Sequence, residues 1–271
     1  MRQWTIDAFA AGPFLGNAAC IVEPLEIWPP DAWMQSLAAE NRAGATGYLL
    51  RTQAANRFGL RWFTPATEVP LCGHATLAAA HALLGELSVG DTALEFDTAS
   101  GRLTATAAGE DRYELSFPRP RPRRIETPPG LAEALGAEPA EVWAAPYLVA
   151  LFDRAETIGR LEPRHDDLRR ISEGLGGQGN VGVAALAPDE ATHDVIDRFF
   201  APGYGILEDA ATGSFHAILV PILAERLPRA TIRFRQAYPG RGAEFEGRLE
   251  GESVILRGRA VTVMESRLHL T

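Results

Sequence analysis

Arg61-Trp62-Phe63-Thr64-Pro65 and Arg198-Phe199-Phe200-Ala201-Pro202 share one pattern: arginine, aromatic, phenylalanine, any residue, proline. The second copy follows the first by 137 positions, about half of the 271-residue chain. Each copy leads to a glycine and then an apolar run. The first runs from Cys72-Gly73-His74-Ala75-Thr76 through Leu84, the second from Thr212-Gly213-Ser214-Phe215-His216 past Leu223. Both runs are apolar nearly all round, which marks a helix buried on every side. A shell of strands around each helix meets that demand. The repeat therefore predicts an α+β chain of two pseudo-symmetric halves. Each half is a barrel-like, mostly antiparallel sheet around a central buried helix.

Strands are expected at 4–9, 18–23, 57–63, 93–97, 102–107 and 112–117. Pro29-Pro30-Asp31 opens a helix that runs to about residue 39, with Asp31 as cap or first-turn acid. The pattern then breaks at 118–129, where proline stands at 118, 120, 122, 128 and 129 and arginine at 119, 121, 123 and 124. Such a stretch suits neither a packed helix nor a central strand. It reads as a solvated connector between residues 1–118 and 119–271, with a basic partner site as the alternative. The extent of strand exchange at the C-terminus stays open. Beyond the connector come a short helix at 131–136, an apolar stretch at 142–152 and a polar helix at 165–174. A glycine-rich turn at 174–179 follows, then strands at 181–187, 194–200, 231–236, 244–249, 252–257 and 260–265.

Composition narrows the chemistry. The net charge is −9 and the isoelectric point is near 5.2, which disfavours nucleic acid and anionic membranes as partners. The 26 basic residues are all arginine. Schiff-base catalysis and a Walker-type phosphate loop both need a lysine, so both are excluded. Two cysteines, Cys20 and Cys72, make no secreted disulfide framework. No apolar run reaches membrane-spanning length, and the first residues lack a signal-peptide layout. The expected location is the cytoplasm.

A helix N-terminus offers unpaired N–H groups and a partial positive charge. Two such ends at one interface between halves would hold a carboxylate and stabilise an enolate-like oxygen. His74 stands at the first helix start, and Glu208 and Asp209 stand just before the second. His74 and Asp209 suit proton transfer. The plainer reading makes Asp209 and Thr212 caps and His74 the filler of a polar niche. Cys72 is a thiol base or, by the plainer reading, a small buried hydrophobe. Ser214 lacks a nucleophile elbow and suits a ligand hydrogen bond or a cap. His81 and His216 read as satisfied core histidines, and His165, His193 and His269 as surface ones. No metal-ligand spacing and no dinucleotide fingerprint occur. The residues point to a cofactor-free proton-transfer enzyme, or to a small-molecule binding protein on the same scaffold.

The chain also resembles the PhzF-type phenazine-biosynthesis isomerase family over nearly its whole length. The motifs are Asp7-Ala8-Phe9 with Pro13-Phe14-x-Gly16-Asn17, then Arg61 to Pro65, Glu68-Val69 and Leu71-Cys72-Gly73-His74-Ala75-Thr76-Leu77. Phe199-Phe200-Ala201-Pro202 and Glu208-Asp209-x-x-Thr212-Gly213-Ser214 complete them. The resemblance implies a diaminopimelate epimerase-like fold, no cofactor, a homodimer and a small carboxylate substrate. The family's named reaction isomerises trans-2,3-dihydro-3-hydroxyanthranilate by moving a proton between ring carbons. It implies active-site positions at His74, Asp209 and Ser214, backbone donors at Gly73 and Gly213, and a substrate border at Asn17 and Thr76. One position departs. The family's proton-shuttling glutamate falls at Ala45, within Arg42-Ala43-Gly44-Ala45-Thr46-Gly47-Tyr48. A methyl group carries no proton. Either the isomerisation is lost, or another group substitutes, or Ala45 is an engineered change. Glu40 is a weak substitute, and His74 with Asp209 is the better pair. Two-thiol racemases place a second cysteine near Ala210, so that chemistry is disfavoured here.

Overall fold

Strand follows strand through the first hundred residues because short alternating runs are cut by turn formers at nearly every step. In the computed structural model, which describes residues 1–89, 92–187, 192–227 and 229–269, the chain divides into two compact units. The first comprises Met1–Phe117 with Ile255–Thr271, the second Pro118–Val254. The C-terminal segment, counted above with the second half, thus packs with the first.

The first unit contains β1 (Arg2–Ala8), β2 (Asn17–Leu25), α1 (Asp31–Asn41), β3 (Ala45–Arg51), β4 (Arg57–Phe63), β5 (Glu68–Val69) and α2 (Gly73–His81). It continues with β6 (Ala93–Thr98), β7 (Gly101–Ala107) and β8 (Arg112–Pro118). The second unit contains β9 (Arg123–Ile125), α3 (Leu131–Leu135), β10 (Glu141–Ala144), β11 (Leu148–Phe152), α4 (Ala155–Arg160) and α5 (His165–Gly174). It adds β12 (Val181–Leu186), β13 (Val195–Phe200), β14 (Glu208–Asp209), α6 (Gly213–Ala224), β15 (Ile232–Gln236) and β16 (Ala243–Glu250). The last strand, β17 (Ser253–Arg267), carries the chain back to the first unit.

The first unit closes on itself. Its pairings run β1–β2–β3–β4–β6–β7–β8–β17 and return to β1, a ring of eight strands. Two neighbours in the ring, β2–β3 and β4–β6, are parallel; the other described registers are antiparallel. Helix α2 packs on β1, β2, β3 and β7, and every one of its residues is buried. The second unit repeats the path as β9–β10–β11–β12–β13–β15–β16, again with parallel pairs at β11–β12 and β13–β15. Its helix α6 packs on β16 and buries Phe215, His216, Ile218 and Leu219.

Several expectations need revision. The strands expected at 252–257 and 260–265 form one strand, Ser253–Arg267. Its pairing with β1 carries one bulge, where the register shifts between Thr5 and Ile6. Gly258 lies within that strand, and a side chain there would run into the Phe9 ring. The connector at 118–129 includes the short strand β9, paired to β10. The apolar stretch at 142–152 is a hairpin of β10 and β11. Strand β3 and helix α4 were not expected. Pro30, not Asp31, is the N-cap of α1; Asp31 is its first-turn acid and binds Arg61.

Candidate active site

The repeated pentapeptides anchor each half by an identical device. Arg61 grips Glu68 through Nε and Nη2 at 2.7 Å each, and Arg198 grips Glu208 through the same atoms at 2.9 Å each. Each guanidinium also lies over the phenylalanine two residues on, Phe63 at 5.2 Å and Phe200 at 4.8 Å. A two-pronged arginine–carboxylate pair fixes both position and angle. In each half it ties a long strand to the dipeptide strand that precedes the buried helix. Phe199 lies opposite Asp209 as Trp62 lies opposite Val69. Asp209 and Val69 are therefore equivalent positions.

In the first unit, α2 begins after an extended Cys72. His74 is 7% exposed, with Nδ1 3.4 Å from Asn17 Nδ2 and 3.5 Å from Cys72 Sγ. Cys72 is thus a buried thiol in contact with the imidazole. Asn17 begins β2 and is 6% exposed. Gly44 closes this cluster. A side chain there would begin 2.5 Å from Asn17 Oδ1 and 3.2 Å from His74 Nε2, so only glycine admits this approach. Sequence reasoning missed Gly44, since nothing in its neighbours announces the close approach. Ala45, next to it, starts β3 and is fully buried opposite Ala19. Thr76 is also fully buried and gives its hydroxyl to the Cys72 carbonyl at 2.7 Å, within the first turn of the helix. Glu40 is exposed on α1.

In the second unit, the Asp209 carboxylate is held by two donors. The Ala210 amide donates to Oδ1 at 3.1 Å, and the Thr212 hydroxyl donates to Oδ2 at 2.7 Å. Ser214 Oγ lies 2.9 Å from the Tyr147 hydroxyl, which lies 3.0 Å from the Tyr204 hydroxyl. Neither tyrosine was a sequence candidate. Gly73 and Gly213 open their helices and are buried.

The core histidines are satisfied. His81 contacts Tyr113 Oη through Nδ1 and Thr262 Oγ1 through Nε2, each at 3.0 Å. Burial pushes its pKa down; Asp111 and Glu86 oppose that shift. His216 contacts the Thr212 carbonyl at 2.9 Å and Asp197 Oδ2 at 3.1 Å. Burial raises the pKa of Asp197 against the pull of His216. His269 is exposed, whereas His165 and His193 are half-buried, His165 edge-on to Phe200.

These clusters provide a histidine with a thiol neighbour and a carboxylate with two fixed donors. Both are capable of proton transfer, and both sit at helix starts suited to anions. Among the described residues, no helix is long and apolar enough to cross a membrane.

The chain is similar to known proteins along its whole length. An uncharacterized isomerase of Pseudomonas aeruginosa is 39% identical over 269 residues, 98% of this chain and 97% of the relative. The crystal structure of a PhzF-family phenazine biosynthesis protein from Enterococcus faecalis superposes with a TM-score of 0.90 at 33% identity, covering 99% of each chain. A hydroxyproline epimerase from Agrobacterium vitis shares the fold at 17% identity and a TM-score of 0.62, over 98% of this chain and 91% of that one. The diaminopimelate epimerase-like architecture is therefore that of this chain. The family model for phenazine biosynthesis-like proteins matches residues 6–266, and the chain belongs to that PhzC-PhzF family.

Proposed function

We propose that the protein is a cofactor-independent isomerase that moves a proton on a small carboxylate, with His74 and Asp209 as its proton-handling groups. The observation that carries this reading is the Asp209 carboxylate. It occupies the place of Val69 in the repeat, and both its oxygens are held by neighbouring donors. A hydrophobic partner position turned into a braced carboxylate has no need in the scaffold, since the valine half folds without it. His74 and Asn17, brought together by Gly44, supply the second polar cluster. Gly73 and Gly213 offer backbone donors for the substrate carboxylate, and Ser214 a hydroxyl. Asn17 borders the substrate. Thr76 contributes through the first turn of α2. The same reading carries a homodimer in the cytoplasm, checked by sedimentation and cell fractionation.

Ala45 favours a second reading. It stands where the family resemblance places a glutamate, and it is fully buried. A protein without that proton carrier would bind a small carboxylate and leave it unchanged.

Proton NMR in D₂O with trans-2,3-dihydro-3-hydroxyanthranilate separates the two. Deuterium incorporation by the unaltered protein, lost in His74→Ala and in Asp209→Ala, supports the isomerase. Incorporation by an Ala45→Glu variant alone supports the binding protein. Turnover that survives both alanine changes would sink the assigned roles.

A further inference from the structure

One buried contact of the second half has no counterpart in the first. Gln236 lies opposite Asp197 in the β13–β15 pair, and Asp97 lies opposite Gly59 in the β4–β6 pair. With Arg61 set on Arg198, the counterpart of Gln236 is Thr98. Thr98 spends its hydroxyl on the Gly101 carbonyl at 2.6 Å. Gln236 is fully buried and reaches the turn before α6. Its Nε2 donates to the Asp209 carbonyl at 2.6 Å and to Thr212 Oγ1 at 3.2 Å. Its Oε1 accepts the Thr212 amide at 2.8 Å.

These bonds run in one direction. Oε1 only accepts, so the donor to Thr212 Oγ1 is the Gln236 amide nitrogen. The Thr212 hydroxyl receives that bond and gives its single hydrogen to Asp209 Oδ2. The chain ends on the carboxylate. The first unit has neither the carboxylate nor the glutamine: Val69 and Thr98 stand there instead. Carboxylate and brace occur together in one half and are missing together from the other.

We propose that Gln236 is a positioning residue for Asp209. It orients the Thr212 hydroxyl and pins residues 209–212, so that the carboxylate meets the substrate in one geometry. The inference rests on the reading of Asp209 as a proton-handling group.

The test uses Gln236→Glu, which keeps size and the acceptor for the Thr212 amide but removes the donor, and Thr212→Val, which removes the hydroxyl alone. Deuterium incorporation into trans-2,3-dihydro-3-hydroxyanthranilate gives kcat and KM. The 13Cγ resonance of Asp209 in the labelled free protein, assigned through Asp209→Asn, gives a readout that needs no substrate. Each variant is expected to lower kcat about tenfold while KM stays within about twofold. Thr212→Ser restores kcat to within about threefold, and the double variant Gln236→Glu/Thr212→Val is no slower than its worse parent. The Asp209 resonance moves in both single variants. An unchanged kcat in both, with Asp209→Asn still inactive, overturns the positioning role. So does a loss that Thr212→Ser fails to restore. If the unaltered protein and Asp209→Asn are equally silent, the functional reading fails for this compound. The resonance alone then decides, and an unmoved Asp209 signal overturns the proposal.

Discussion

Set side by side, the two helix starts share the arginine–glutamate clamp and the opening glycine and differ in the polar side chains around them. Arg61–Glu68 and Arg198–Glu208 match atom for atom. Gly73 and Gly213 open buried helices in both halves. Even the bond back to the residue before the helix recurs, from the Thr76 hydroxyl to Cys72 O and from His216 Nδ1 to Thr212 O. Against that constancy, the position of His74 holds Ser214 in the other half, that of Cys72 holds Thr212, and that of Val69 holds Asp209. A duplicated scaffold thus carries unlike side chains at its two helix starts.

The largest expected effect breaks the comparison at its unlike pair. Asp209→Asn should lower deuterium incorporation about 100-fold or more, whereas Val69→Asn, at the equivalent position, should lower it less than about threefold. Equal losses would mean that both positions serve only the fold.

Next comes a pair that looks identical in sequence. Gly47 lies opposite Trp62, and Gly182 lies opposite Phe199, so the two glycines are equivalent. A side chain at Gly182 runs into the ring of Phe215, whereas one at Gly47 meets only the tip of Ile21 at 2.8 Å. Gly182→Ala should cost about 3 kcal/mol in urea unfolding, and Gly47→Ala about 1 kcal/mol or less. The reverse order would show that the second helix can shift in its barrel.

The twin ion pairs differ in burial. Arg198 and Glu208 have side chains 12% and 11% exposed, against 24% and 38% for Arg61 and Glu68. Arg198 also binds the carbonyls of Ile158 and Leu161 at the end of α4. Arg198→Met should destabilise by about 3 kcal/mol, the cost of stranding a buried carboxylate. Arg61→Met, at the more exposed pair, should cost about 1 kcal/mol. Equal costs in thermal or urea unfolding would remove the distinction.

The smallest effect concerns His81, whose counterpart in α6 is the untitratable Pro221. Burial holds the folded His81 below its unfolded value of 6.5. The unfolded chain therefore binds the extra proton first, and stability falls as pH drops below 6.5. Stability should thus be lower at pH 5.5 than at pH 7.5. His81→Gln should flatten that part of the urea-midpoint profile. An unaltered slope would contradict the assignment.

The repeat itself was legible because its marks lie close together along the chain. Arginine, aromatic and proline occur within five residues, and the apolar helix follows at once. The candidate polar residues His74, Asp209 and Ser214 were legible for the same reason. What stayed hidden depends on pairing across the sheet. Strand β3 starts with Ala45-Thr46-Gly47, which carries no alternating β-branched pattern; its place comes from β2 and β4 on either side. Gly44 matters because Asn17 and His74, both far from it along the chain, approach it closely. Gln236 reaches Asp209 and Thr212 through the parallel β13–β15 pair, and no local motif marks such a contact. The C-terminal strand runs unbroken through Gly258, a residue whose constraint is the Phe9 ring, distant in sequence.

The central claim is that unlike residues on a repeated scaffold move a proton. The most direct measurement is deuterium incorporation from D₂O into trans-2,3-dihydro-3-hydroxyanthranilate, followed by NMR for the unaltered protein and Asp209→Asn at equal folded concentration. The account predicts incorporation by the first and at least about 100-fold less by the second. Incorporation at the same rate by both would contradict it.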